Sequence, residues 1–91
     1  MEASPRLSAT EEAVEFGMSF HGRVIKVIVA ARDLQDVFGA GPRPAQWLAS
    51  FEANKLVIRG AARSRCRQTG AGILVLRRVD LEAHRDAVQQ H

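Results

Sequence analysis

Val14, Phe16, Met18 and Phe20 alternate with Glu15, Gly17 and Ser19. A period of two separates the faces of a strand, so this segment reads as a half-buried β-strand. After His21-Gly22, the run Arg23-Val-Ile-Lys-Val-Ile-Val-Ala30 supplies a second strand. A two-residue turn at His21-Gly22 sets Met18 opposite Ile25, Phe16 opposite Val27 and Val14 opposite Val29. Each of these apolar residues then meets an apolar partner on its own face. A one-residue slip would destroy the match, so the pattern selects this register. The other face is mixed. It holds Glu15, Gly17 and Lys26 together with Val24 and Ile28, two apolar residues that call for a cover of their own.

Beyond the hairpin the period changes. Ala31 to Phe38 reads as a short helix with Asp33 in its first turn and Leu34, Val37 and Phe38 on one side. Gly39-Ala-Gly-Pro-Arg-Pro44 ends it, because glycine supplies left-handed backbone and proline cannot continue a helix. A long helix is expected from Ala45 to Arg67, with Trp47, Phe51, Ile58 and Ala62 in one apolar stripe. Gln68-Thr-Gly-Ala-Gly72 breaks it. Ile73 to Val79 then forms a third strand, apolar on both faces at its start, as suits a central or covered strand.

The ends are less patterned. Residues 1–12 are polar and small and read as a flexible arm, although Ser8-Ala-Thr-Glu11 matches a capping box. Residues 81–91 read either as a short helix anchored by Leu81 and Val88 or as a mobile tail. Residues 13–80 form one domain, and no linker or internal repeat divides them. The expected architecture is α+β: a two-layer, three-stranded sheet in the order β-β-α-α-β, with one long helix packed on it.

These core and turn positions resemble a known pattern. Val14-Glu-Phe16, Gly22, Ile25, Leu34, Phe38-Gly39-Ala40, Leu48, Phe51, Ile58, Ala62, Val75-Leu76 and Asp80 are similar to a family of small bacterial proteins, domain-of-unknown-function family 1488. The resemblance spans about residues 13 to 81. It implies a compact α+β fold and no assigned activity. Two points depart from the family pattern: residues 1–12 lack an aromatic strand motif, and the tail after Asp80 is longer.

Composition narrows the class. With 46% apolar and 25% charged residues, the chain has the makeup of a folded globular domain rather than a disordered one. Its longest dense apolar run, Val24 to Ala31, is interrupted by Lys26 and falls short of the roughly 20 residues of a membrane span. The first residues carry no basic-then-apolar signal pattern. One cysteine forms no internal disulfide and suits a reducing compartment, so the chain reads as cytoplasmic.

Charge is the remaining feature. Overall there are 13 Lys+Arg against 10 Asp+Glu. Between Asn54 and Val79, however, the basic residues Lys55, Arg59, Arg63, Arg65, Arg67, Arg77 and Arg78 have no acidic companion. Lys55, Arg59, Arg63 and Arg67 recur every four residues, a row along one helix side that drifts about 40° per step. Such a row can track phosphates. It lacks an exposed aromatic platform or a helix-turn-helix pattern, and a charge row on a packed helix is ordinarily solvated surface.

Other chemistry is sparse. Cys66 sits between Arg65 and Arg67, which favour a thiolate, but near a helix C-terminus, which does not. His21, His84 and His91 match no zinc spacing. The carboxylates are dispersed, and Gly39-Ala-Gly41 and Gly70-Ala-Gly72 match no phosphate-binding fingerprint. The expectation is a non-enzymatic domain, without cofactor or metal, acting by binding an unnamed protein partner or by self-association. The alternative is a nucleic-acid-binding accessory protein using Lys55, Arg59, Arg63 and Arg67. No membrane association is expected.

Overall fold

The hairpin forms in the expected register. In a computed structural model, which describes residues 5–8, 12–69 and 72–89, β2 (Ala13–Phe20) pairs antiparallel with β3 (Arg23–Ala30). Met18 lies opposite Ile25, Phe16 opposite Val27 and Val14 opposite Val29. The turn requires left-handed backbone at both central residues, and His21 (φ 51°) and Gly22 (φ 77°) provide it. That geometry matches the right-handed twist of the flanking strands.

Helix α1 (Ala31–Phe38) follows directly. The Ala31 N–H donates to Glu12 O at 2.8 Å, tying the helix start to the start of β2. Gly39 (φ 71°) closes the other end, its N–H donating to Gln35 O at 3.0 Å. Leu34 and Val37 face the sheet and are buried.

The single long helix is corrected to two, α2 (Pro44–Ala53) and α3 (Lys55–Thr69). Asn54 leaves the helical region at φ −121°, and its Nδ2 donates to Ser50 O at 2.8 Å. A short amide side chain competing for a backbone carbonyl interrupts the ladder at that residue. The apolar stripe survives the break, with Trp47, Phe51, Ile58 and Ala62 all buried. Gln68 and Thr69, expected in the breaking segment, are the last residues of α3.

The sheet is also corrected, from three strands to four in the order β1-β2-β3-β4. Strand β1 (Arg6–Leu7) pairs antiparallel with β2, Arg6 opposite Glu15 and Leu7 opposite Val14. Two residues carry no period, which is why the pattern hid it. The capping box Ser8–Glu11 extends over residues 9–11, outside the described residues. Strand β4 (Ile73–Leu76) pairs parallel with β3, and the three helices between them supply the crossover a parallel pair needs.

The third strand ends at Leu76 rather than Val79. Arg77 N–H donates to Asp80 Oδ2 at 3.0 Å and Leu81 N–H donates to Arg77 O at 3.2 Å, closing the first turn of α4 (Arg78–Gln89). Leu81 anchors this helix and is fully buried. The second expected anchor, Val88, lies outside the described side chains. Arg85 Nη1 donates to Val37 O at 2.9 Å and ties α4 to α1.

All four helices stand on one side of the sheet. Val14, Phe16, Met18, Ile25, Val27, Val29, Leu74 and Leu76 form the sheet side of the core. The opposite face has no layer over it among the described residues.

Candidate functional site

The basic row sits on α3, but it does not form one flat band. Lys55, Arg63 and Arg67 are exposed and Arg59 is half-buried. At about 100° per residue the row swings from the flank of the buried stripe to its far side. Two of the other arginines are engaged by carboxylates. Arg65 Nε lies 3.7 Å from Asp80 Oδ2, and Arg78 Nε lies 2.7 Å from Glu82 Oε1. Asp36 Oδ2 also lies 3.9 Å from Arg78 Nη1, so Asp80, Glu82 and Asp36 dilute a charge excess that looked unopposed along the chain.

Cys66 is 3% exposed, and burial pushes its thiol pKa up, against any activation by Arg65 and Arg67. His21 sits in the hairpin turn with its ring edge-on to Phe20, centroids 4.2 Å apart. His84 packs against Gly60, where α3 and α4 approach so closely that an added Cβ would lie 2.8 Å from His84 Cδ2. His91 lies outside the described residues. Among the described residues no three His, Cys, Asp or Glu side chains gather as a metal site.

The open face of the sheet is more organised. Its side chains lie in rows across the strands: Arg6–Glu15–Ile28–Val75, then Gly17–Lys26–Ile73, then Ser19–Val24. The β1–β2 half is polar. Glu15 Oε1 lies 2.8 Å from Arg6 Nε and Glu15 Oε2 lies 3.4 Å from Lys26 Nζ. The hydrogen bond from Arg6, then Lys26, holds the Glu15 carboxyl below its usual pKa, outweighing the burial that would raise it. Beside this cluster lies a hollow of about 310 Å³ lined by Arg6, Glu15, Gly17, Val24, Lys26 and Gly72.

The β3–β4 half is apolar apart from Lys26. Val24 is 69% exposed, Ile73 63% and Val75 51%; half-buried Ile28 lies beside Val75, and Lys26, level with Ile73, separates Ile28 from Val24 along β3. The sequence pattern marks Val24 and Ile28 as needing a cover, and among the described residues no layer lies over them, although Ile28 is half-buried between its neighbours. The pattern does not mark Ile73 and Val75, because it reads their strand as central or covered, whereas β4 is an edge with both residues exposed. Leu56, 79% exposed on α3, is a separate apolar point beside a shallow groove with Val57 and Arg85. Among the described residues no helix is long and apolar enough to cross a membrane.

Comparison with curated proteins and with solved structures finds no match. The family model described as "Protein of unknown function (DUF1488)" matches residues 2–76. That span holds every strand of the sheet with α1, α2 and α3, and stops before α4. The fold, its apolar-patched open face and its crossover helices are therefore those of a chain that belongs to the DUF1488 family.

Proposed function

We propose that this chain is a non-enzymatic interaction domain of the bacterial cytoplasm, binding a protein partner or a second copy of itself through the β3–β4 half of its open sheet face. One observation carries the reading: Val24, Ile73 and Val75 lie 51–69% exposed on two adjacent strands. Contiguous apolar surface rimmed by polar residues marks interaction sites, whereas scattered single residues do not. Glu15 and Arg6 border the patch beside Ile28, and Lys26, paired with Glu15, reaches into it between Ile28 and Val24. The polar groups that the fold brings together are joined in ion pairs, which suits a structural role for them. A single buried thiol suits a reducing compartment.

The test is affinity capture with the native chain and with Val24→Lys, which places a charge in the patch while leaving the buried face intact. The expected result is a partner retained by the native chain and lost with the variant. Identical retention by both, or nothing retained by a folded native chain, would sink the reading.

A further inference from the structure

We infer that β4 is the seam of a two-fold dimer, in which a second copy of this chain adds its own β4 antiparallel to the first; this rests on the sheet being the interaction surface. Three features of β4 lead there.

The first is a mismatch between pattern and position. Ile73-Leu-Val-Leu76 is apolar at every position, the pattern of a strand covered on both faces. Within one chain only Leu74 and Leu76 are covered, and β4 ends the sheet. Free edges are normally guarded by charge, proline, a bulge or shortness. The opposite edge follows that rule, since β1 has two residues and one of them is Arg6. Strand β4 is twice as long as β1 and carries no charge, proline or bulge within Ile73–Leu76, its first charge being Arg77 just beyond.

The second is which backbone groups point outward. Lys26 N–H donates to Gly72 O at 3.0 Å, and Lys26 is level with Ile73. In a parallel ladder this turns the backbone groups of Gly72, Leu74 and Leu76 toward β3. Ile73 and Val75 therefore direct their N–H and C=O groups at the open edge. Such a row of alternating donors and acceptors is a template on which another extended strand can pair in place of water.

The third is self-complementarity. A two-fold axis perpendicular to the sheet keeps corresponding faces together, so inward residues must oppose inward residues. Leu74 against its own copy meets this condition and places Ile73 opposite the copy's Val75. Ile73 and Val75 then make two hydrogen-bonded pairs across the seam, using all the outward groups of both residues. Every facing side-chain pair is apolar. Like charges stay apart, since the two Arg77 residues are offset by about six positions. That is about 20 Å along the strands at about 3.3 Å per residue, beyond the screening length of about 8 Å. Joining β4 to β1 instead would set four residues against two and propagate as an open fibre rather than close. The result is a continuous eight-stranded sheet. Its outer face carries a central apolar band of Ile28, Val75, Ile73 and their copies, flanked by the Arg6–Glu15–Lys26 clusters.

A four-residue edge with two side chains per copy buries less than a standard interface of about 1,600 Å², so the dimer is weak and reversible. The experiment is analytical ultracentrifugation of the full chain from about 5 to about 500 µM, a span suited to an interface of that size. The mass should rise from 10.0 kDa toward twice that value. Val75→Pro removes an outward donor without touching a bond to β3, a setting in which an edge strand tolerates proline. It should stay monomeric throughout. Amide exchange on the native chain needs no variant: the Ile73 and Val75 amides should gain at least tenfold protection as concentration rises, and the Val24 amide should not. A native chain that remains monomeric at the highest concentration, or outward amides indifferent to concentration, would overturn the seam. So would a Val75→Pro chain that dimerises like the native one. Each of these leaves the capture result with Val24→Lys standing, so the two failures are distinguishable.

Discussion

Phe51→Ala tests the packing of the crossover helices on the sheet. Phe51 is 2% exposed on α2, and its ring centroid lies 4.9 Å from that of Phe16 on β2, with the planes tilted by 59°. This contact joins α2 to the centre of the hairpin. Truncating a core phenylalanine costs about 3–5 kcal/mol, the lost transfer energy plus the cavity left behind. The aromatic pair accounts for about 0.5–1.5 kcal/mol beyond area. A single domain of this size is stable by about 5–15 kcal/mol, so the variant loses a third or more of its margin if that margin is near the middle of the range. At about 4–8 °C per kcal/mol for a small domain, the midpoint should fall by about 12–40 °C. Circular dichroism melts and urea titrations of Phe51→Ala, Phe16→Ala and the double variant measure both quantities. The double variant should be less destabilised than the sum of the singles by the pair's coupling. A midpoint within about 5 °C of the native value, well outside the range that cavity cost allows, would show that α2 does not pack as described.

Three further outcomes are expected. Gly60→Ala should be held back by its contact with His84 (2.8 Å from the added Cβ) but should stabilise a His84→Ala background by about 0.5–1 kcal/mol through helix propensity; equal effects in both backgrounds would remove the close approach of α3 and α4. Glu15→Gln should destabilise at neutral pH. A carboxyl held below its usual value of 4.5 contributes stability that is present above that value and lost as pH falls through the lower folded one, so the two stability curves should converge in acid; a pH-independent gap would contradict the Arg6–Glu15–Lys26 linkage. For the basic row, the native chain should not bind mixed DNA or RNA at low salt even at about 100 µM, the weak end of non-specific phosphate binding. Salt-dependent binding that disappears in Arg63→Glu/Arg67→Glu would instead make α3 the functional surface.

How much of this was legible in the sequence depends on how many residues each decision involves. The hairpin spreads its signal over eight pairs around one turn, and no other register satisfies it. Helix α1 was legible because Gly39 supplies the left-handed residue that ends it. The break at Asn54 was not, because one amide bonding to Ser50 O decides it inside an otherwise helical period. Strand β1 was illegible for the opposite reason: two residues have no period, and what holds them is an edge contributed by β2. The swing of Lys55, Arg59, Arg63 and Arg67 around α3 follows from their four-residue spacing, but the approach of Asp80 on α4 to Arg65 is a property of packing.

Strand β4 is the informative failure. Its residues read as a covered strand, and the isolated chain places it at an edge with Ile73 and Val75 in the open. Local pattern and global position normally agree in a folded protein, and disagreements concentrate where something outside the fold completes it. The same argument applies to Val24 and Ile28, whose apolar character on the hairpin's second face meets no covering layer among the described residues. All four lie on one face of two adjacent strands, Ile28, Val75 and Ile73 contiguous and Val24 set off by Lys26, so one partner laid on that face accounts for them together, while Leu7 of β1, 38% exposed, stays outside it. A separate explanation for each would have to treat their adjacency as chance.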